Sequence, residues 1–267
     1  MHILISNDDG FSARGIVALA GILSQIAEIT VVAPDREQSA CSSSLSIHKP
    51  LRATAVDFPV KVHAAWAVDG TPVDSVKLAL TKLMPVPPDL VVTGINRGAN
   101  MCVDILYSGT VAAAFEGVFK GIPSLAFSLD SYDSKADYSA AKAAILECVD
   151  MARAVPPPAG VLYNINIPAI PADQIKGLRT TRMGQVRYQD GYERREDPGG
   201  KPYYWLHGIM DVLDQDPDTD IIAVRSGWVS LTPLRAELTD MNVFNQIRKH
   251  FSRTTQSGTG KVQEPHR

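Results

Sequence analysis

The sequence predicts an α/β protein in which a mostly parallel sheet is covered by helices on both faces. Short apolar runs alternate through the first half of the chain with longer segments whose apolar residues recur at helical spacing. The apolar runs are nearly continuous, which is typical of parallel strands that are buried on both faces. The composition agrees with a folded domain, since the 267 residues are 45% hydrophobic and 21% charged.

The alternation of strands and helices can be followed from the N-terminus. Residues 2–6 and 29–33 are predicted strands, and the segment from Ile16 to Ile26 between them carries apolar residues on one helical face. The next strand candidates are residues 90–93, 124–127 and 162–166. The next helix candidates are residues 73–83, with Thr71 and Pro72 at the start, residues 110–120, and residues 136–154, which Pro156 ends.

The character of the chain changes after about residue 170, where helices become scarce. Short strand-like pieces are expected at residues 177–182, 186–188, 203–206 and 221–224, a hairpin tip or arm at 192–200, and a last helix at 239–250. We therefore predict one domain over residues 1–250, with a core at 1–170 and a β-rich C-terminal region at 171–250. Residues 251–267 are predicted to be a disordered tail.

The β-rich C-terminal region is expected to serve oligomerisation. It has too few helices to cover a sheet by itself, and it carries large apolar residues such as Tyr203, Tyr204 and Trp205. Because monomers rarely expose large apolar patches, we expect these residues to pack against a second subunit.

Charge and motif content argue against several classes of function. The net charge of −3 gives no electrostatic footprint for binding a long nucleic acid. No apolar run approaches the roughly 20 residues of a membrane span, and the early acidic residues Asp8 and Asp9 argue against a signal peptide. The sequence also lacks a P-loop motif and a G-x-G-x-x-G after its first strand. Three widely spaced cysteines, Cys41, Cys102 and Cys148, indicate free thiols and a cytoplasmic location.

An acidic pair, Asp8 and Asp9, follows the first predicted strand directly. Ligands of an open parallel sheet gather outside the carboxyl ends of its strands. Adjacent carboxylates repel each other, so such a pair is unfavourable unless a cation neutralises it, and aspartate oxygens suit Mg²⁺, Mn²⁺ or Ca²⁺. Capping of the following helix by either residue accounts for the same pair equally well.

Three further polar clusters are expected at the same edge of the sheet. Ser39 lies in the loop after the second strand and could reach the same ion, although such loops are commonly only solvated. Asn96 follows the 90–93 strand, where it could ligate a cation, donate to a phosphate, or only form a turn. Ser108, Gly109 and Thr110 open an Ala-rich helix and form a ready anion site, although capping by Ser108 explains them too. Together the four clusters indicate metal-assisted phosphoryl chemistry.

The order of the motifs resembles that of the SurE family (survival protein E, 5′/3′-nucleotidase). The resemblance covers roughly residues 1–245. Its motifs are Ser6-Asn7-Asp8-Asp9-Gly10, Ala33-Pro34-Asp35-Arg36 with Ser39, Gly70-Thr71-Pro72-Val73-Asp74-Ser75-Val76-Lys77, Gly94-Ile95-Asn96-Arg97-Gly98-Ala99-Asn100, Tyr107-Ser108-Gly109-Thr110-Val111 and Val229-Ser230-Leu231-Thr232-Pro233-Leu234.

The resemblance implies a fold, an activity and a set of site residues. The fold is a three-layer α/β/α Rossmann-like core, and the activity is metal-dependent hydrolysis of nucleoside 5′-monophosphates, with 3′-nucleotides left open. The implied cofactor is one divalent ion per subunit (Mg, Mn or Ca), and the implied assembly is a homodimer or homotetramer. By this resemblance the metal ligands are Asp8, Asp9, Ser39 and Asn96, the catalytic residues are Asp8 and Asp9, and the phosphate-binding residues are Asn96, Ser108, Gly109 and Thr110.

The sequence departs from the family pattern at two places. Ala40 follows Ser39 where a glycine is common, and Met101-Cys102-Val103 replaces a stretch that contains glycine and an acidic residue. Both departures lie in loops whose shape affects which substrates fit.

Two alternative functions share features of this site. A non-catalytic nucleotide-binding sensor would share the pocket, and a receiver-like signalling domain would also carry an acidic pair after its first strand. Receivers have no counterpart to the Ser-Gly-Thr helix start.

Overall fold

A nine-stranded sheet lies at the centre of the computed structural model, which describes the backbone of residues 1–257 and the side chains of residues 1–251. The strands in chain order are β1 (His2–Ser6), β2 (Glu28–Pro34), β3 (Ala53–Ala55), β4 (Ala64–Val68), β5 (Leu90–Arg97), β6 (Ser124–Asp130), β7 (Val161–Pro168), β8 (Leu178–Thr180), β9 (Val186–Glu196), β10 (Pro202–Val212) and β11 (Val229–Arg235). Strands β9 and β10 form a separate antiparallel hairpin, and the other nine strands form the sheet.

The order of the strands creates a crevice beside the first strand. The sheet runs β3–β4–β2–β1–β5–β6–β7–β11–β8, with parallel pairing from β4 through to β7 and between β11 and β8, while β3 is antiparallel to β4. The chain leaves β1 towards β2 and later returns to β5 on the other side of β1. Such a reversal of strand order places a ligand crevice at the carboxyl ends of the two strands, here β1 and β5.

Helices cover both faces of the sheet, as predicted. The helices of the described chain are α1 (Arg14–Leu23), α2 (Pro72–Leu78), α3 (Gly109–Phe119), α4 (Ala141–Ala154), α5 (Asp220–Arg225) and α6 (Met241–Ser257). Ile16 of α1 and Ile145 of α4 belong to the same apolar cluster as Ile3 of β1. Leu4, the next residue of β1, packs on the opposite face with Val76 of α2. The alternation along β1 therefore gives the three-layer α/β/α arrangement.

The predicted strands and helices of the first half are confirmed, with changes at their ends. The helix predicted at residues 136–154 begins only at Ala141. The helix predicted at residues 73–83 is α-helical to Leu78 and then continues as a π-helical turn over Ala79–Leu83. Its predicted start is confirmed, because Thr71 Oγ1 accepts from the Asp74 amide at 3.0 Å and Asp74 Oδ2 accepts from the Thr71 amide at 2.9 Å.

The prediction of a strand at residues 221–224 is wrong, because these residues form most of α5. A short apolar run has the same pattern in a buried strand and in a buried helix. The side chain of Asp220 decides between them, since it is fully buried and accepts from the amides of Ile221 (2.8 Å), Cys102 (2.8 Å) and Gly184 (2.9 Å). These contacts fix the first turn of α5.

The C-terminal segment differs from its prediction in extent. Residues 235–257, which include α6, belong to a unit of their own. Residues 251–267 are predicted to be disordered, but α6 extends through Ser257. The prediction for residues 258–267 lies outside the described residues. Within the described range, we find no helix with the length and apolar character needed to cross a membrane.

The first turn of α1 packs directly on strand β5. A Cβ atom added at Gly15 would lie 2.0 Å from the carbonyl oxygen of Ile95, the residue before Asn96. We predict that Gly15→Ala lowers the free energy of unfolding by about 1–3 kcal/mol, because either helix α1 or strand β5 must shift to relieve the overlap. Urea unfolding followed by circular dichroism measures the change.

A second glycine of the same helix provides the control. A Cβ added at Gly21 would meet only Val60 Cγ1, at an ordinary contact distance of 3.7 Å. Gly21→Ala is expected to leave stability unchanged or to raise it by up to about 1 kcal/mol, because alanine favours the helix. Equal losses in the two variants would contradict the close packing of α1 on β5.

Candidate active site

The carboxylate of Asp8 lies against the first turn of helix α3. Asp8 follows β1 at the crevice and is only 4% exposed. The Thr110 amide donates to Asp8 Oδ2 at 3.2 Å, and the Thr110 hydroxyl donates to Asp8 Oδ1. The positive end of the helix dipole adds to these bonds. Helix α3 therefore fixes the position of Asp8.

Gly109 allows this close approach. A Cβ atom added at Gly109 would lie 3.1 Å from Asp8 Oδ2 and 2.9 Å from the Cys41 Sγ atom. Both distances are shorter than a comfortable contact, so a side chain here would push α3 away from Asp8. The glycine of the Ser108-Gly109-Thr110 turn thus has a steric reason that the sequence alone did not reveal.

Asp8 and Asp9 occupy an environment that opposes their ionisation. Burial raises the pKa of Asp8, and the hydrogen bonds from Thr110 oppose that rise only in part. Burial, followed by the neighbouring charge of Asp8, raises the pKa of Asp9 to about 6. The Arg97 amide donates to Asp9 Oδ2 at 3.1 Å. The two carboxylates therefore lack the compensation that a cation would supply.

A cavity of about 370 Å³ brings together four of the predicted site residues, namely Asp8, Ser39, Asn96 and Ser108. Asp9 lines a separate cavity of about 130 Å³, which shares Glu37 and Arg97 with the first. The strand ends thus converge as the sequence predicted. We call the 370 Å³ cavity the site cavity.

Asn96 and Ser39 line the cavity and keep oxygen atoms that can accept further bonds. Asn96 Nδ2 donates to the Gly98 carbonyl at 2.8 Å, which leaves Asn96 Oδ1 as the free end of the amide. Ser39 Oγ donates to Glu37 Oε1 at 2.8 Å and keeps its lone pairs. Glu37 also pairs with the Arg97 guanidinium at 3.1 Å.

The donor set fits a hard divalent cation. Two carboxylates, one amide oxygen and one hydroxyl are the ligands that Mg²⁺, Mn²⁺ and Ca²⁺ accept. Among the described residues, three with carboxylates line the site cavity, namely Asp8, Glu37 and Asp104. Arg97 supplies the one guanidinium in the same lining, so negative groups are in excess. No group of three or more His, Cys, Asp and Glu in the described part of the chain could hold a metal, so the fit depends on this mixed set.

The Ser108-Gly109-Thr110 turn contributes in two different ways. Ser108 lines the site cavity, and its Oγ caps α3 by accepting from the Val111 amide at 3.1 Å. Thr110 is fully buried, and both of its donors are directed at Asp8. This arrangement favours a role for Thr110 in positioning Asp8 over its predicted contact with phosphate.

A buried network that the sequence analysis missed holds the loop after β5. Asn166 Oδ1 accepts from the Asn100 amide at 2.8 Å, and Asn166 Nδ2 donates to the Asn100 carbonyl at 3.0 Å. Asn164 Nδ2 donates to the same carbonyl at 2.8 Å, and the Asn100 side chain donates to Ser128 Oγ at 2.7 Å. Asparagines at alternate positions of the apolar 162–166 run were the available signal.

The two departures from the family pattern occupy unusual backbone conformations. Ala40 has φ = 56° and Cys102 has φ = 53°, which is the left-handed region that favours glycine. The Cys102 amide donates to the buried carboxylate of Asp220, which compensates for its conformation. Ala40 lines the site cavity and adopts the left-handed conformation although it is not a glycine.

We predict that Asp9→Asn changes how stability depends on pH. A carboxyl whose pKa is raised on folding, here from 3.8 to about 6, stabilises the folded state below pH 4, and that stability is lost as the pH rises through 6. In the presence of a chelator, the melting temperature of the unchanged protein should therefore fall more steeply between pH 4 and 7 than that of Asp9→Asn. Added Mn²⁺ at pH 7 should raise the melting temperature of the unchanged protein but not that of Asp9→Asn.

Thermal unfolding at a series of pH values measures both effects. Asp57→Asn, a change at an exposed carboxylate away from the cavities, serves as the control and should behave like the unchanged protein. The account fails if Asp9→Asn and the unchanged protein show parallel pH profiles.

Comparison with known proteins finds similarity over almost the whole chain. The family profile described as "Survival protein SurE" matches residues 3–190. The 5′-nucleotidase SurE of Pelotomaculum thermopropionicum is 47% identical over 250 residues, which are 93% of this chain and 95% of that protein. The 5′-nucleotidase SurE of Moorella thermoacetica is 46% identical over 257 residues, which are 94% and 96% of the two chains.

A solved structure shows the same architecture. The crystal structure of the SurE protein from Aquifex aeolicus superimposes with a TM-score of 0.81 at 36% sequence identity, covering 94% of this chain and all of that one. The range matched by the family profile contains every predicted site residue.

Proposed function

The chain belongs to the SurE family, and from that premise we propose that it is a 5′-nucleotidase that hydrolyses nucleoside 5′-monophosphates to nucleoside and phosphate. Relatives that carry this name match more than nine tenths of the chain. The structural observation that carries the proposal is the site cavity, where Asp8, Asn96 and Ser108 meet at the reversal of strand order beside the start of helix α3.

The residues around the site cavity can bind a phosphate monoester. The guanidinium of Arg97 offers paired donors that match phosphate oxygens, and it lies on the same cavity as Asn96 and Ser108. At the start of α3, the amides of Thr110 and Val111 donate to Asp8 and Ser108, so the helix offers a phosphate the Gly109 amide and the positive end of its dipole. Thr110 keeps Asp8 at the edge of the bound phosphate.

The proposal includes one divalent cation per subunit, Mg²⁺, Mn²⁺ or Ca²⁺, held by Asp8, Asp9, Ser39 and Asn96. It is supported by the raised pKa values of Asp8 and Asp9 and by the excess of carboxylates around the cavity. Such a cation supplies charge neutralisation and Lewis acidity for the hydrolysis of a phosphate ester. Either Asp8 or Asp9 also orients the attacking water and accepts its proton.

We predict that Asp8→Asn lowers nucleotidase activity by orders of magnitude and that Thr110→Val lowers it about 10- to 100-fold. The first change removes the negative charge of a proposed ligand, and the second removes the side-chain hydrogen bond that orients it. The assay measures phosphate released from AMP with added Mn²⁺ or Mg²⁺. Thr30→Val, which removes a buried hydroxyl bonded to His2, is the control and should retain full activity.

The outcome separates the proposed hydrolase from the alternatives. AMP binding without phosphate release would indicate a nucleotide-binding sensor, and release that persists after exhaustive chelation would exclude the metal assignment. Full activity in Asp8→Asn would exclude the assigned role of that residue. Hydrolysis of AMP and dependence on Asp8 together support the nucleotidase against the receiver-like alternative.

The proposed enzyme is a cytoplasmic homodimer or homotetramer. The cytoplasmic location is supported by the three cysteines, all of which are free thiols in the described chain. The assembly is supported by the hairpin of β9 and β10, which carries exposed large apolar side chains, among them Tyr192, Trp205, Leu206 and Ile209. Within its own unit, α6 also exposes Phe244 and Ile247.

We predict that the hairpin is an interface between subunits. Sedimentation velocity at micromolar concentration should show a species of at least twice 28.9 kDa, and Trp205→Glu should shift it towards the monomer. Glu147→Lys on α4, which changes charge away from the hairpin, is the matched control. A stable monomer of the unchanged protein would contradict the proposed assembly.

A further inference from the structure

A second cavity of about 160 Å³ adjoins the site cavity. Ala99, Asp104 and Tyr132 line both cavities and so form their common wall. A ligand whose phosphate occupies the site cavity can therefore extend along this wall into the second cavity. We call the second cavity the side cavity.

The lining of the side cavity is suited to a flat heterocycle. Met101, Met210 and Ile221 supply apolar and polarisable surface, and Tyr188 adds an aromatic ring. The carboxylates of Asp104 and Asp130 also line it. Carboxylate oxygens can accept hydrogen bonds, so a partner with N–H groups fits them. Nucleobases combine a flat ring with such donors.

Tyr132 is a large exposed side chain in a defined position beside the reaction centre. It is 79% exposed, although an aromatic ring of this size is commonly covered. Its ring lies across the loop that carries Asn96, because a Cβ atom added at Gly98 would be only 2.6 Å from Tyr132 Cε1. The uncovered part of the ring is a surface on which a base can stack.

The β9–β10 hairpin closes the side cavity from another direction. The Tyr188 hydroxyl of β9 donates to Asp104 Oδ2 at 2.7 Å, which joins the hairpin to the 3₁₀ helix at Cys102–Tyr107. Met210 of β10 contributes to the lining. The base of the hairpin thus belongs to the wall of a ligand cavity, while its outer part carries the apolar residues described above.

We propose that the side cavity is the nucleobase subsite of the enzyme and that Tyr132 is its stacking residue. This inference rests on the proposed nucleotidase function, because the phosphate in the site cavity sets the direction in which the nucleoside extends. Asp104 accepts a hydrogen bond from the nucleoside through the oxygen that Tyr188 leaves unoccupied. Substrate recognition then combines a phosphate subsite built on α3 and β5 with a base subsite built on Tyr132 and the hairpin.

The test compares a substrate that has a base with one that lacks it. In the presence of saturating Mn²⁺, kcat/KM is measured for AMP and for ribose 5-phosphate. Tyr132→Ala should lower kcat/KM for AMP about 5- to 150-fold, the equivalent of losing one stacked base, and should change it less than twofold for ribose 5-phosphate. Tyr132→Phe, which keeps the ring, should restore the value for AMP.

A matched control and a second ligand complete the test. Phe119→Ala removes another exposed aromatic ring, at the opposite end of α3, and should leave both substrates unaffected. Adenosine, which has no phosphate, should inhibit the unchanged enzyme and should inhibit Tyr132→Ala more weakly. Equal losses for AMP and ribose 5-phosphate, or no loss for either, would overturn the base subsite while leaving the nucleotidase intact. Failure of the unchanged protein to hydrolyse AMP would refute the proposed function itself.

Discussion

The contact between Asp8 and the start of helix α3 is the constraint on which the site depends. Two hydrogen bonds from Thr110 hold a carboxylate that is almost completely buried, and Gly109 provides the space for the helix to approach. The same burial raises the pKa of Asp8 and, together with the charge of Asp8, that of Asp9. Because the protein alone opposes ionisation of both carboxylates, a nearby divalent cation would stabilise their charged forms strongly.

The rest of the architecture keeps the second half of the site in register with this contact. Strand β5 carries Asn96, and α1 packs so closely on the preceding Ile95 carbonyl that only a glycine fits at position 15. The loop beyond Asn96 is fixed by the side chains of Asn164 and Asn166, which bind both the amide and the carbonyl of Asn100. These bonds tie the loop to strand β7, although Asn164 Oδ1 itself is buried without a hydrogen-bond partner.

The sequence allowed the fold class and much of the site to be predicted, for a physical reason. In a parallel sheet the carboxyl ends of the strands share one edge, so Asp8, Ser39, Asn96 and Ser108 could be grouped from their places after apolar runs. The direction of a side chain within that edge could not be predicted. Thr110 was expected to face a phosphate, and its hydroxyl instead binds Asp8. Residues 221–224 were predicted as a strand and are helical. A buried strand and a buried helix share this apolar pattern, and contacts of Asp220 with the distant residues Cys102 and Gly184 favour the helix.

The central claim is that Asp8, Asp9, Ser39 and Asn96 surround one divalent cation at the crevice between β1 and β5. Crystals of the protein grown with Mn²⁺ and measured at a wavelength where manganese scatters anomalously locate the ion directly. The account predicts one strong anomalous peak per subunit, within ligand distance of the carboxylate oxygens of Asp8 and Asp9 and of Asn96 Oδ1. A peak at any other position, or none at these oxygens at saturating Mn²⁺, would contradict it.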